Sequence, residues 1–233
     1  MKKITALAAK ELSVYFKSPT AYIILIIVLS VFNVFFFLIV DQNREASLRD
    51  MFKLMEFMFV FTVPLLTMKI FAEEKRSGTI EFLMTSPIKN TDIVVGKFLG
   101  SLTFYTIILA ITGVYYALIE YFGAPDRWPI LTGYLGIWLE GMLFIAMGML
   151  TSSWTKNQIV AALSSYAMIL LLYFSVTFAK YLSPQAQAII KRIGFLSHLE
   201  NFYTGLITLD GIIYYASGVF FCLFLTTLSL KNK

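Results

Sequence analysis

Long stretches without a charged side chain are the feature that most constrains this chain. Thr20 to Val40 is uncharged, as are Phe98 to Ile119, Asn157 to Ala179 and Gly211 to Leu230. A helix needs about 20 apolar residues to cross the hydrocarbon core of a bilayer. Charged residues make up only 14% of the chain, whereas a soluble domain has about a quarter. These stretches therefore predict transmembrane helices.

Two further spans contain charge. The second has only Phe57 to Met68 uncharged, so it must reach back past Glu56 and Lys53, which are three residues apart and expected to pair on a helix. The fourth, Leu131 to Ser152, contains Glu140. The predicted spans are 20–40, 50–71, 98–120, 131–152, 157–179 and 211–230. Residues 1–233 then form one all-α transmembrane domain with six spans.

Residues 1–18 predict an amphipathic helix lying at the membrane surface. Its lysines recur every seven residues, and its apolar run is too short for a cleaved signal peptide. Such a helix lies in the headgroup plane with its lysines near anionic lipid. The basic face holds Lys3, Lys10 and Lys17.

The distribution of Lys and Arg predicts the orientation. With both termini in the cytoplasm, 12 of the 19 basic residues fall on the inner side and 7 on the outer side. Cytoplasmic loops carry the excess of basic residues. This places the polar segment 72–97 in the cytoplasm and the segment 181–210 outside.

Segment 72–97 carries its own short apolar stripe. Gly78 can end the helix leaving the second span, and Thr79 can cap a short helix. That helix would present Ile80, Leu83 and Met84 on one face before Ser86 and Pro87 end it. The residues alone leave two interpretations open, a docking surface for a partner and an ordinary amphipathic surface loop. Further on, Gly96 and Gly100 form a small-residue pair suited to close helix packing.

Four stretches, in order along the chain, resemble one family. KELSVYFKSPTAYI, EEKRSGTIEFLMTSPI with VVGKFLG, and GMLTSSWTKNQIVAAL resemble parts of type-2 ABC transporter permeases, the membrane subunits of two-component ABC exporters. SHLENFYTGLITLDGIIYYASGVFFCLFLTTLSL resembles the C-terminus of the gliding-motility-associated subgroup. The ordered set covers nearly the whole chain.

This resemblance implies a permease subunit in the bacterial inner membrane, paired with a second copy or a homologous permease. A separate cytoplasmic ABC ATPase would dock on a coupling helix in segment 72–97 and supply the energy, and the substrate would be a lipid, peptide or other amphipathic molecule. The implied docking residues are Glu73, Glu74, Lys75, Arg76, Gly78, Thr79, Ile80, Leu83, Met84 and Pro87. The interfacial helix would form the second part of the contact with the ATPase, through Lys3, Lys10, Glu11, Phe16 and Lys17.

Segment 181–210 allows two interpretations. Ser183 and Pro184 can open a helix whose apolar face holds Ala186, Ile189, Ile190, Ile193 and Leu196. It resembles the external re-entrant hairpin of related exporters, and an interfacial helix is the alternative.

Other classes of function fit the sequence less well. No GxxxxGK[ST] motif occurs, so ATP and Mg are expected in the partner ATPase and not in this chain. One histidine and one cysteine, Cys222, leave no catalytic dyad and no metal cluster. The basic residues lie at span ends, so nucleic acid is not expected as a partner, whereas membrane lipids are. A secondary transporter remains an alternative, as does the same permease fold transmitting ATPase strokes to a periplasmic or surface machine.

Glu140 is predicted to lie near the middle of the bilayer. It follows Trp128 by 12 residues, or roughly 18 Å at 1.5 Å per residue. A charge there costs about 2.5–3.5 kcal/mol. Two roles are open, one in the transport pathway or subunit interface and one as a protonated, hydrogen-bonded structural residue.

Overall fold

The structure, a computed structural model, consists of helices joined by turns and loops, with no strand in the part of the chain that it describes. The described residues are 2–43, 47–80, 88–179, 181–183, 185, 187, 190 and 194–231. The helices are α1 (Lys2–Lys17), α2 (Pro19–Asn43), α3 (Arg49–Thr67), α4 (Lys69–Ser77), α5 (Asn90–Phe122), α6 (Arg127–Trp154), α7 (Gln158–Ala179), α8 (Phe195–Tyr203) and α9 (Leu209–Lys231).

Six helical segments are long and apolar enough to cross a membrane. They are Pro19–Asp41, Arg49–Ser77, Asn90–Phe122, Arg127–Trp154, Gln158–Ala179 and Leu209–Lys231. The prediction of an all-α membrane protein with six spans is therefore confirmed.

Helices extend into the segment 72–97 from both sides. After a turn at Met68, α4 continues the line of α3 to Ser77, and α5 begins at Asn90 rather than at Phe98. A span predicted from hydropathy ends at the first charged residue, here Lys97. In the structure, carboxylates of neighbouring helices neutralise Lys97, so the helix extends past it. Less of this segment is loop than the sequence indicates.

Helix α6 is the centre of the bundle and contacts α3, α4, α5, α7, α8 and α9. Its glycines receive side chains from its neighbours: Phe52 lies against Gly133, Tyr105 against Gly141 and Thr67 against Gly148. Phe52 is as far from Gly133 in sequence as Thr67 is from Gly148, so α3 and α6 run parallel in constant register.

Helix α1 packs closely along the first part of α5. A Cβ at Gly96 would lie 2.6 Å from the Cβ of Leu7, and one at Gly100 would lie 2.7 Å from the backbone oxygen of Ala8. Since real Cβ atoms do not approach so closely, only glycine allows this spacing. The packing role predicted for the glycine pair is confirmed.

Helix α8 lies alongside α6 and not across the end of the bundle. Phe202 is packed on Gly136 near the start of α6, and the Phe195 ring lies 5.2 Å from the Phe144 ring. Phe144 is roughly 25 Å along α6 from Arg127 at 1.5 Å per residue. Helix α8 therefore packs along the side of α6 for much of its length, and the re-entry of segment 181–210 into the membrane stays a prediction. Of the predicted apolar face, Ile190 and Leu196 are helical, while Ala186, Ile189 and Ile193 lie outside the described residues.

Candidate functional site

Buried polar side chains gather in two places in the bundle. One surrounds Lys97, where α1, α4 and α5 meet, and the other surrounds Glu140 on α6. Since α3 and α6 begin near Tyr203 and run towards Lys97, we call the two ends of the bundle the Tyr203 end and the Lys97 end.

Lys97 connects three helices through its ammonium group. Its Nζ lies 3.0 Å from Oε2 of Glu11 on α1 and 2.8 Å from Oε1 of Glu74 on α4. It also donates to the backbone oxygen of Ile70 at 3.1 Å. Lys97 is 4% exposed, so its charge is stabilised by these acceptors in place of water.

Tyr15 attaches the end of α1 to α3 and α5 close to Lys97. Its hydroxyl lies 3.1 Å from Oγ of Ser101 on α5 and 3.2 Å from the backbone oxygen of Leu66 on α3. Burial raises the pKa of the Tyr15 hydroxyl well above its usual range, and the charge of Glu11 adds to this rise. The hydroxyl therefore keeps its proton for hydrogen bonding at physiological pH.

Hydrogen bonds between backbone groups and side chains attach α4 to the end of α6. The N–H groups of Phe71 and Ala72 donate to Oγ of Ser152 at 3.1 and 3.0 Å, and that hydroxyl donates to the Met68 oxygen at 3.0 Å. Lys75 donates to the backbone oxygen of Ser153. A displacement of α4 would therefore act directly on α6.

The predicted docking residues on α4 divide by exposure. Glu73 and Arg76 are exposed, whereas Lys75 is buried and the carboxylate of Glu74 is directed at Lys97. Exposed and buried residues alternate along α4 because one face of this helix packs on the bundle and the other faces outward. Only Glu73 and Arg76 of this set present charge to a partner.

Gly78 ends α4 in the left-handed conformation, with φ 73°, which glycine adopts without strain. This confirms that the helix leaving the second span ends there. Thr79 is exposed, and Ile80 is partly buried against the core. Leu83, Met84 and Pro87 of the predicted docking set lie outside the described residues.

The interfacial helix presents its basic face outward. Lys3, Lys10 and Lys17 are exposed, and the ring of Phe16 lies edge-on to Phe104 at 5.6 Å. Glu11 is buried, since it faces Lys97.

One open cavity brings the two predicted docking sets together. It has a volume of about 170 Å³ and lies between α1, α2 and the α3–α4 junction. Its lining includes Lys10 and Glu11 of α1, Glu73 and Glu74 of α4, Thr79 and Lys97. Lys97, which joins the two sets, was not among the docking residues predicted from the sequence.

Glu140 lies inside the protomer. It is 0% exposed, and neither carboxylate oxygen has a hydrogen-bond partner among the described residues. The nearby tyrosines are engaged elsewhere: Tyr105 donates to the Ile137 oxygen at 2.9 Å and Tyr215 to the Phe195 oxygen at 3.1 Å. A subunit-interface role would need Glu140 at the surface of the protomer, and the structural role was predicted with a hydrogen bond; the buried, unbonded Glu140 matches neither of these, while a role in the transport pathway stays a prediction.

Glu56 bonds a tyrosine and not the lysine predicted for it. The Tyr203 hydroxyl donates to Oε2 of Glu56 at 2.8 Å, while Lys53 lies 3.0 Å from Asp50 in the exposed first turn of α3. Glu56 points into the bundle towards α8, which sequence spacing within α3 could not reveal.

No metal site is evident in the described ranges, where no three His, Cys, Asp or Glu side chains cluster. The comparisons with known proteins give one family. The sequence model described as "ABC-2 family transporter protein" matches residues 41–220. No curated protein matches the chain.

Proposed function

The chain belongs to the ABC-2 transporter family and is a membrane permease of an ABC transporter, and on this premise we propose that its Lys97 end docks a separate cytoplasmic ATPase subunit. ATP and Mg would bind that subunit. The docking surface is the rim of the 170 Å³ cavity, with the exposed faces of α1 and α4 on either side.

The observation that carries this proposal is the ion pairing of Lys97 with both Glu11 and Glu74. An ATPase pressing on α4 would displace Glu74 and, through Lys97, both α1 and α5. The hydrogen bonds from Phe71 and Ala72 to Ser152 would pass the same displacement to α6. A local contact on α4 would thus move α1, α5 and α6 together with it.

The proposal includes an orientation and an assembly. The Lys97 end faces the cytoplasm of a bacterium, with both termini on that side of the inner membrane, since basic residues concentrate there. The exporter contains two permeases, either two copies of this chain or one copy and a homologue. Its substrate is a lipid, peptide or other amphipathic molecule, a class suited to a bundle whose outer surface is apolar.

Reversal of the exposed charges on α4 tests the docking. The double variant Glu73→Lys, Arg76→Glu should lose the ATP-hydrolysing subunit on co-purification from native membranes, with that subunit identified by mass spectrometry and by its ATPase activity. Lys53→Glu is the matched control, because Lys53 is exposed at the opposite end of the bundle. Normal ATPase recovery with the double variant, or equal loss with the control, would show that docking lies elsewhere.

A further inference from the structure

Glu56 on α3 and Glu140 on α6 lie about one helical turn apart along the axis of the bundle. Because α3 and α6 keep constant register, Glu56 is level with Ile137, one helical turn from Glu140 towards the Tyr203 end. Glu56 is close enough for its charge to act on Glu140. Both are buried, Glu140 completely.

A buried carboxylate without hydrogen-bond donors must be neutralised. No described cation or N–H group reaches the oxygens of Glu140, and an ionised carboxylate in such surroundings would be strongly destabilised. The titratable groups that act on this position from the packed helices are all acids or phenols, namely Glu56 of α3, Tyr105 of α5, Tyr173 of α7, Tyr203 of α8 and Tyr215 of α9. None of these groups supplies a positive charge to Glu140. Two further charged groups, Lys53 of α3 and Glu200 of α8, act on Glu56.

The neutralising ligand must be small. Glu140 is 0% exposed and lines none of the four cavities found around Lys10, Ser47, Val63 and Leu143. The hydroxyls of Tyr105 and Tyr215 are directed to backbone oxygens. A metal cation would need several oxygen ligands there. A proton needs one carboxyl oxygen.

An entry route leads from the Tyr203 end. An open cavity of about 290 Å³ is lined by Ser47, Leu48, Arg49, Phe52, Asp126, Pro129 and Ile130. Phe52 is one turn from Glu56 on α3 and stacks on Tyr203, with ring centroids 5.7 Å apart. The cavity, Glu56 and Glu140 thus follow one another at intervals of about one turn, with the Phe52–Tyr203 stack between the cavity and Glu56.

We propose that Glu140 is a proton-binding site that exchanges its proton with water at the Tyr203 end through Glu56. In the closed arrangement of the structure, Glu140 holds the proton on a carboxyl oxygen. When the Phe52–Tyr203 stack opens, the O–H bond at Glu140 breaks, the proton passes to the carboxylate of Glu56, and Glu56 releases it to water in the cavity. The reverse sequence reloads Glu140.

Infrared spectroscopy of the full-length protein in lipid nanodiscs tests the proton. A protonated carboxyl has a C=O band separate from that of carboxylates, and the wild-type protein should show it at neutral pH. Glu140→Gln should lose this band, whereas Glu140→Asp should shift it. Asp210→Asn should leave it unchanged, since Asp210 is an exposed acid in the first turn of α9. Absence of the band from the wild type, or its retention in Glu140→Gln, would overturn the proposal.

Deuterium exchange of the same band tests the route. Phe52→Ala removes the ring between the cavity and Glu56, so the band should shift on transfer to D₂O faster than in the wild type. Ile130→Ala is the control, because Ile130 lines the cavity without contacting Tyr203 through a ring stack. Equal exchange rates in Phe52→Ala and the wild type would refute entry from this end. These measurements need no ATPase, so their outcome is independent of the docking experiment.

Discussion

Lys97 and Glu11 are 86 residues apart in sequence, yet Nζ of Lys97 lies 3.0 Å from Oε2 of Glu11. This ion pair connects the N-terminal helix α1 to the start of α5, and the second ion pair of Lys97, with Glu74, adds α4. The three helices therefore meet at one buried cation. Its removal should affect them together.

Lys97→Met should destabilise the bundle, because Glu11 and Glu74 would keep buried charges without a partner. Loss of one member of a buried ion pair costs about 3–5 kcal/mol. The triple variant Lys97→Met, Glu11→Gln, Glu74→Gln should recover part of this loss, since it also removes the two unpaired charges. Thermal unfolding in detergent measures both effects.

The exposed pair Lys53–Asp50 provides the control for that experiment. Lys53 is 66% exposed, and exposed ion pairs contribute about 0–1 kcal/mol. Lys53→Met should therefore shift the unfolding temperature little. If Lys97→Met were as mild as Lys53→Met, the buried ion pairs would not hold the three helices together.

Gly100→Ala should separate α1 from α5. The new Cβ would lie 2.7 Å from the Ala8 backbone oxygen, a contact that a rotamer change cannot relieve, and such overpacking costs about 1–3 kcal/mol. Gly113→Ala in the same helix meets nothing within 4 Å and should be neutral or stabilising by up to about 1 kcal/mol. Unfolding temperature and recovery of the ATPase subunit should both fall for Gly100→Ala alone.

The sequence predicted the spans and the glycine contact because both are local patterns. Uncharged length identified the spans, and the spacing of Gly96 and Gly100 identified a close helix contact. The partners of Lys97 were not predictable, since neither Glu11 nor Glu74 stands at a helical spacing from it. A basic residue between two packing glycines was the one available signal.

The depth of α8 and the environment of Glu140 also depended on tertiary contacts. The polar and apolar residues of α8 fit a helix at the interface as well as a re-entrant limb, whereas its position alongside α6 follows from the packing of Phe202 on Gly136. The partner of Glu56 was mistaken for the same reason: Tyr203, 147 residues away, approaches it only in the folded bundle.

Leu83→Asp with Met84→Asp should prevent ATPase association without affecting membrane insertion. The family resemblance implies that both side chains belong to the coupling helix that contacts the ATPase, and two charges in such an apolar contact would be costly. Co-purification measures association, and carbonate extraction of membranes measures insertion. The matched control is Lys53→Glu, because Lys53 is exposed at the Tyr203 end of the bundle, away from the docking surface. Normal ATPase yield with the double variant would remove these residues from the docking surface.

Single cysteines should report the orientation. In a Cys222→Ala background, a cysteine at Ser47, which lines the cavity at the Tyr203 end, should react with an impermeant thiol reagent added to intact cells. A cysteine at Ser77, exposed at the end of α4, should react only after the membrane is opened. The reverse pattern would invert the proposed topology and place the docking surface outside the cytoplasm.

Glu140 should be needed for transport and not for assembly. Glu140→Gln keeps the size of the side chain but cannot release a proton, and Glu140→Leu also removes its polarity, which should if anything ease insertion. We therefore expect both variants to recover the ATPase subunit normally yet to lose transport or substrate-stimulated ATP hydrolysis in reconstituted vesicles. A residue with a purely structural role would tolerate glutamine, since burial without a hydrogen-bond partner favours the uncharged form. Full activity of Glu140→Leu would show that this carboxyl group has no part in the transport cycle.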